Sequence, residues 1–171
     1  YARVLVNYSL GLKKGDTFLI QGAMLSEPLI KAVYKEAIIA GAHPIVITKF
    51  EGQDTIFYKH ASEEQLNYES PFTRYLYEKA DALLNILGSY NTKTTTSVDP
   101  EKIMKRNLAA TELREIFYQR AAAGELRWNI CQFPTLADAQ EASMSLEEYE
   151  DFVFQACHLD KDDPVKYWQE F

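Results

Sequence analysis

Glycine and cysteine are both scarce in this chain of 171 residues, which holds 7 of the first and 2 of the second. Two cysteines, Cys131 and Cys157, are too few for a disulfide scaffold and fit free thiols in a reducing, cytoplasmic compartment. No apolar run reaches the roughly 18 residues that a transmembrane helix needs, so no membrane partner is expected. The opening Tyr1-Ala2-Arg3-Val4-Leu5-Val6-Asn7 breaks its apolar run too early for a signal peptide. The glycines are also not where phosphate chemistry needs them. Ile20-Gln21-Gly22-Ala23-Met24 supplies one glycine where a dinucleotide-binding turn needs several for close backbone approach. A Walker lysine motif and a Gly-x-Ser-x-Gly elbow are both missing. The 3 histidines lie far apart, and none has a His or Cys at metal-ligand spacing. A net charge of −7 argues against binding a nucleic-acid backbone.

What is present is ordinary globular material, 47% hydrophobic and 25% charged, which excludes intrinsic disorder and suits one domain over 1–171. The charge is uneven. Residues 1–50 carry 6 basic and 3 acidic groups, whereas residues 136–171 carry 2 and 10. The acidic tail reads as the solvated face of helices.

The apolar spacing predicts alternating elements. Tyr1, Val4, Leu5 and Tyr8 share one helix face, which should end near Gly11. Thr17 to Gly22 is a β-rich run. Ser26 is the expected N-cap of a helix burying Ile30, Val33, Tyr34 and Ala37 and closed by Gly41. Ile45 to Phe50 is a second strand, and the pattern is a βαβ unit with parallel strands covered on both faces. Residues 51–70 read as a polar loop with a helical turn after Ser62, and 71–80 as a short helix. Strands follow at 81–88 and 128–133. Between them, Asp99-Pro100 caps a helical stretch that breaks near Thr111 and stops at Gly124. Thr135 with Asp138, and Ser145 with Glu148, are capping boxes. The fold class is α/β, in three layers, with a mostly parallel sheet of about four strands flanked by helices.

No residue is assigned here as catalytic, cofactor-binding or metal-binding. Cys131 reads as a buried strand residue, and Cys157-His158 as a helix end. Asp160-Lys161-Asp162-Asp163 fails as a calcium loop, because no Glu stands at the twelfth position, and Asp163-Pro164 reads as a helix start. Glu147, Glu150 and Asp151 share a helix face without a histidine partner and read as solvated. The hydroxyl-rich loop 89–97, after the carboxyl end of the third strand, is the best place for ligand contact. In the helix after Ser145, Tyr149, Phe152, Val153 and Ala156 form the expected packed stripe. Phe154 points elsewhere and is the candidate for contact with another domain or subunit.

The first residue already sits in a helical pattern and the last helix stops at Phe171 without a cap, as in a piece of something larger. The wording of the chain agrees. The opening Tyr1-Ala2-Arg3-Val4-Leu5-Val6-Asn7-Tyr8-Ser9-Leu10-Gly11-Leu12-Lys13-Lys14-Gly15-Asp16 resembles that of the aminopeptidase T and aminopeptidase S family, the thermophilic leucyl aminopeptidase type of metallopeptidase. So do the helix from Glu27-Pro28-Leu29-Ile30 to Ala40-Gly41-Ala42-His43-Pro44, and Phe133-Pro134-Thr135 with Ala139-Gln140. Met144-Ser145-Leu146-Glu147-Glu148-Tyr149-Glu150-Asp151-Phe152-Val153-Phe154 and Asp162-Asp163-Pro164 with Trp168 complete the match.

The resemblance implies the N-terminal domain of a homodimeric enzyme that removes N-terminal residues from peptides. It also implies a larger catalytic domain, absent from this chain, that holds two divalent ions of the Zn or Co type. The domain itself is then inactive, walls the active-site cleft or supports dimerisation, and carries over no metal ligand. Two rivals stand beside this reading: a stand-alone small-molecule-binding α/β domain using loop 89–97, and an interaction module using the acidic helices 136–171.

Overall fold

Four strands rich in aliphatic residues pair side by side in the structure, a computed structural model that describes residues 1–171. They are β1 (Thr17–Ala23), β2 (His43–Lys49), β3 (Ala82–Leu87) and β4 (Arg127–Gln132), all parallel, in the order β2-β1-β3-β4. Parallel pairing needs a crossover between strands, and helices supply it. α1 (Glu27–Ile39) links β1 to β2. Then α2 (Gln53–His60), α3 (Glu63–Asn67) and α4 (Pro71–Lys79) lead to β3, and α5 (Pro100–Ala109) and α6 (Thr111–Ala122) lead to β4. The chain closes with α7 (Leu136–Glu141), α8 (Leu146–Ala156) and α9 (Pro164–Glu170). The three-layer α/β reading therefore holds, with every strand parallel.

Strand alternation divides the side chains between two faces. Phe18, Ile20, Ala82, Leu84, Ile86 and Cys131 enter a core of 15 buried residues, where α1 and the N-terminal segment pack. Leu19 and Leu83 enter the opposite core, which has only 4 buried members and is covered by Leu76, Tyr77 and Phe117 of α4 and α6.

Two arginines close the end of the sheet where the strands begin. Arg127 donates to the carbonyls of Leu10 and Gly11 at 3.1 and 2.7 Å and to Asp16 Oδ2 at 2.6 Å. Arg120 donates to the carbonyls of Tyr77 and Ala80 at 2.7 and 2.8 Å. Between them, Asp81 Oδ2 accepts from the Thr17 amide at 2.7 Å. At the same end Gly41 closes α1 at φ +82°, a conformation costly for any side chain.

Several local expectations are corrected. The N-terminal helix is wound wider than an α-helix: Val4–Ser9 is π-helical, and Val4, Leu5 and Val6 are all buried. Tyr1, Val4, Leu5 and Tyr8 still line one hollow, but Tyr8 is not buried there; its ring stacks on Trp168 at 5.9 Å. Ser26 holds the N-cap position of α1, but its side chain makes no cap bond. It lies buried in a 3-10 turn (Met24–Ser26), and its hydroxyl donates back to the Ala23 carbonyl at 2.7 Å. Leu29 rather than Tyr34 completes the buried face of α1. The polar stretch 51–70 is mostly helical, as α2 and α3, and the Ser62–Gln65 capping box starts α3. Strand β2 is an edge strand and is not covered on both faces. Its Ile45, Val46 and Ile47 stay 37–38% exposed. In α8 only Val153 is buried. Phe152 is 56% exposed, so the packing expected of it is not found, while Phe154 stays exposed at 37% and meets the Tyr1 ring edge-on at 6.4 Å.

Candidate functional site

Two short approaches of backbone to side chain build a cleft at the carboxyl ends of the strands. Gly22 lies two residues beyond the buried stretch Phe18–Ile20 of β1. A Cβ there would meet Ser26 Oγ at 2.9 Å and the Ile86 Cβ at 3.2 Å, so only glycine lets the turn into α1 fold tightly beside β3. Past β3, Gly88 faces Thr135 and Phe133, with its virtual Cβ 3.3 Å from the Thr135 methyl. The chain therefore turns away from the sheet above both central strands, which leaves a cleft of about 690 Å³. Gln21, Asn85, Tyr77, Lys49, Gln132 and Asp138 supply its polar groups.

The polar network along the α7 side is well made. Thr135 Oγ1 accepts from the Asp138 amide at 3.1 Å and donates to Asp138 Oδ2 at 2.6 Å; Gln132 Nε2 donates to the same oxygen at 2.8 Å. The capping box predicted at Thr135 is present in this altered form, with the shorter Asp reaching the hydroxyl instead of the backbone. On the opposite side Lys49 pairs with Asp54 at 3.2 Å. A second hollow of about 350 Å³ shares Gln21, Tyr77 and Asn85 with the cleft and continues over Phe117, Trp128 and Ile130.

Loop 89–97 meets the cleft only through Ser89; Asn91, Thr92, Thr94 and Thr95 line a smaller hollow of about 270 Å³ beside it. The loop's hydroxyls are largely spent in holding it. Thr92 Oγ1 donates to Glu141 at 2.9 Å, Thr94 Oγ1 donates to the Asn91 carbonyl at 2.5 Å, and Thr94's own carbonyl accepts from Thr55 at 3.3 Å. Lys93 pairs with Glu141 at 3.1 Å, and these bonds hold the Glu141 carboxyl below its ordinary range. Sequence reading located the right end of the sheet but chose the loop. It missed Gln21 and Asn85, whose signal was a polar residue inside each of two apolar strands.

The other singled-out residues lie apart from the cleft. Cys131 is buried in β4, and burial pushes its thiol up to about 12, which leaves it unreactive at neutral pH. Cys157 caps the end of α8 and lies 4.0 Å from the Tyr1 hydroxyl. Its carbonyl accepts from the Trp168 indole at 2.9 Å, while His158 packs on Tyr167 at 4.6 Å. Asp163 Oδ1 accepts from the Lys166 amide at 3.2 Å and starts α9, as expected. Glu147 and Asp151 are exposed on α8, with Glu150 half-buried between them. Nowhere do three or more His, Cys, Asp or Glu side chains converge as a metal would require.

A three-layer parallel α/β domain with a cleft above its central strands defines a class wider than any one activity. The sequence narrows it: a family model for thermophilic metalloproteases, M29, matches residues 1–171, and the chain belongs to that family. Aminopeptidase 2 of Geobacillus stearothermophilus is 27% identical over 185 residues, a match covering 99% of this chain and 44% of that protein. Wild-type AmpT from Thermus thermophilus shares the fold, with a TM-score of 0.72 at 19% identity over 91% of this chain and 41% of that one. The chain thus spans less than half the length of either.

Proposed function

We propose that this chain is the N-terminal domain of a metal-dependent aminopeptidase, and that the metal centre lies in a further catalytic domain of the same protein. The observation that carries the reading is a mismatch of extent. The metalloprotease model covers residues 1–171 from end to end, yet the chain aligns with only 44% of a relative named as an aminopeptidase. When bound, a pair of divalent ions in such an enzyme activates water and polarises the scissile carbonyl. The residues of this chain do not fit that centre. The histidines His43, His60 and His158 stand at the start of β2, at the end of α2 and beyond α8, and none belongs to a cluster of possible ligands. No step of hydrolysis is therefore assigned to them.

This domain walls the cleft of the complete enzyme or supports its dimer, and the exposed β2 edge and Phe152 are available for such contacts. The unpaired thiols of Cys131 and Cys157 support a cytoplasmic setting. The test compares the complete protein with residues 1–171 on leucyl and other aminoacyl reporter substrates, with Zn²⁺ or Co²⁺ added. Metal-dependent turnover is expected from the complete protein alone. Turnover by the 171-residue chain, or none by the complete protein, would overturn the reading.

A further inference from the structure

Parallel strands covered on both faces are apolar along their length. The central strands β1 and β3 break that rule at one register, where Gln21 pairs with Asn85. Register places both side chains on the same face, on adjacent strands that run about 4.8 Å apart. Their outer neighbours in the row are Ile47 and Ile130. Gln21 Oε1 accepts a long bond from the Tyr77 hydroxyl at 3.5 Å, whereas the Asn85 side chain has no partner within the protein. Both residues are half-buried, and no fully buried side-chain polar atom lacks a partner, so the Asn85 amide opens into the cleft.

A carboxamide presents one acceptor and two donors side by side, the complement of a peptide unit. The surroundings select against an anion. Asp138 faces the cleft with Oδ1 unbonded, and Lys49, across from it, is already paired with Asp54. The adjoining hollow adds an apolar wall of Leu113, Phe117, Trp128 and Ile130 directly beside the two amides. A neutral amide ligand that carries an apolar side chain fits this combination.

We propose that the Gln21–Asn85 pair holds the backbone of an extended peptide, with a peptide unit on the Asn85 carboxamide and the neighbouring side chain on the Phe117–Trp128 wall. The choice of peptide rests on the aminopeptidase reading; the site rests on the geometry. The test is a titration of the 171-residue chain with N-acetyl-Ala-Leu-Ala-amide, whose blocked N-terminus offers no residue for an aminopeptidase to remove, followed by the side-chain amide signals of Asn85 and Gln21 and the Trp128 indole. Saturable shifts of all three are expected. Asn85→Ala should weaken binding about tenfold, the worth of one well-placed hydrogen bond. Gln21→Ala provides the same comparison should the first variant lose its dispersed spectrum. Absence of saturation, equal affinity in the variants, or a response to glucose but not to the peptide would overturn the proposal. Neither metal nor turnover enters this readout, so its failure leaves the reporter assay standing, and failure of that assay leaves this binding result standing.

Discussion

Arg127 holds three acceptors from the opposite end of the sequence and is itself half-buried, so its loss strands several polar groups at once. Arg127→Ala should cost about 2–3 kcal/mol in a urea melt, as lost bonds to a charged group do. Phe152→Ala should cost under about 1 kcal/mol in the same experiment, because the ring is exposed. Helical spacing alone could not separate Phe152 from Val153: adjacent stripe positions differ by which neighbour covers them, and the neighbour is set by the tertiary fold. Cys131 gives a pH-dependent outcome. The fold buries its neutral thiol, so the folded chain keeps the proton to about 12, while an unfolded thiol loses it near 8.5. That contribution to stability is full below about 8.5 and drains away as pH rises toward 12. Thermal melts across that range should fall more steeply for the parent chain than for Cys131→Ala.

The helices differ in what they bury. α2, α4, α5, α6 and α9 contain no fully buried residue, whereas α1 buries Leu29, Ile30, Val33 and Ala37. Few buried contacts mean low local opening energies. Amide hydrogen exchange should therefore be fastest in α2 and slowest in β1, β3 and α1; equal protection of α2 and α1 would contradict this. The same difference explains part of what was legible in the sequence; α5 and α9 bury nothing fully and are announced instead by their Asp-Pro starts. The strands and α1 announce themselves because burial imposes apolar runs or a stripe on them. In α2 the sequence Gln53-Asp54-Thr55-Ile56-Phe57-Tyr58-Lys59-His60 carries no such stripe, and a solvated helix without one reads as a loop. The cleft was legible only by topology: ligands sit beyond the carboxyl ends of parallel strands. Its key residues, Gln21 and Asn85, become meaningful only when the register sets them side by side.

The molecule as a whole is lopsided. One sheet face rests on a core of 15 buried residues and the other on 4, and the β2 edge is bare. An apolar edge strand with free backbone groups invites pairing with another chain. Ile45→Lys places a charge on that edge. Where copies of the 171-residue chain pair through this edge, the change should lower their association in light scattering while shifting the melting temperature little. Unchanged association would show that the contact lies elsewhere.

The strand order also governs how the chain can fold. β1 meets β2 across a short α1 crossover, but its other neighbour, β3, arrives only after α2, α3 and α4; the Thr17–Asp81 bond spans 64 residues. Bringing together partners so distant in sequence spends loop entropy before any sheet contact compensates it. We expect the β1–α1–β2 unit to form early and the docking of β3 to limit the rate. Leu84→Ala should then slow refolding, whereas Val153→Ala in α8 should act on unfolding alone. Stopped-flow refolding of the two variants separates these outcomes, and an unchanged refolding rate in Leu84→Ala would place the barrier elsewhere.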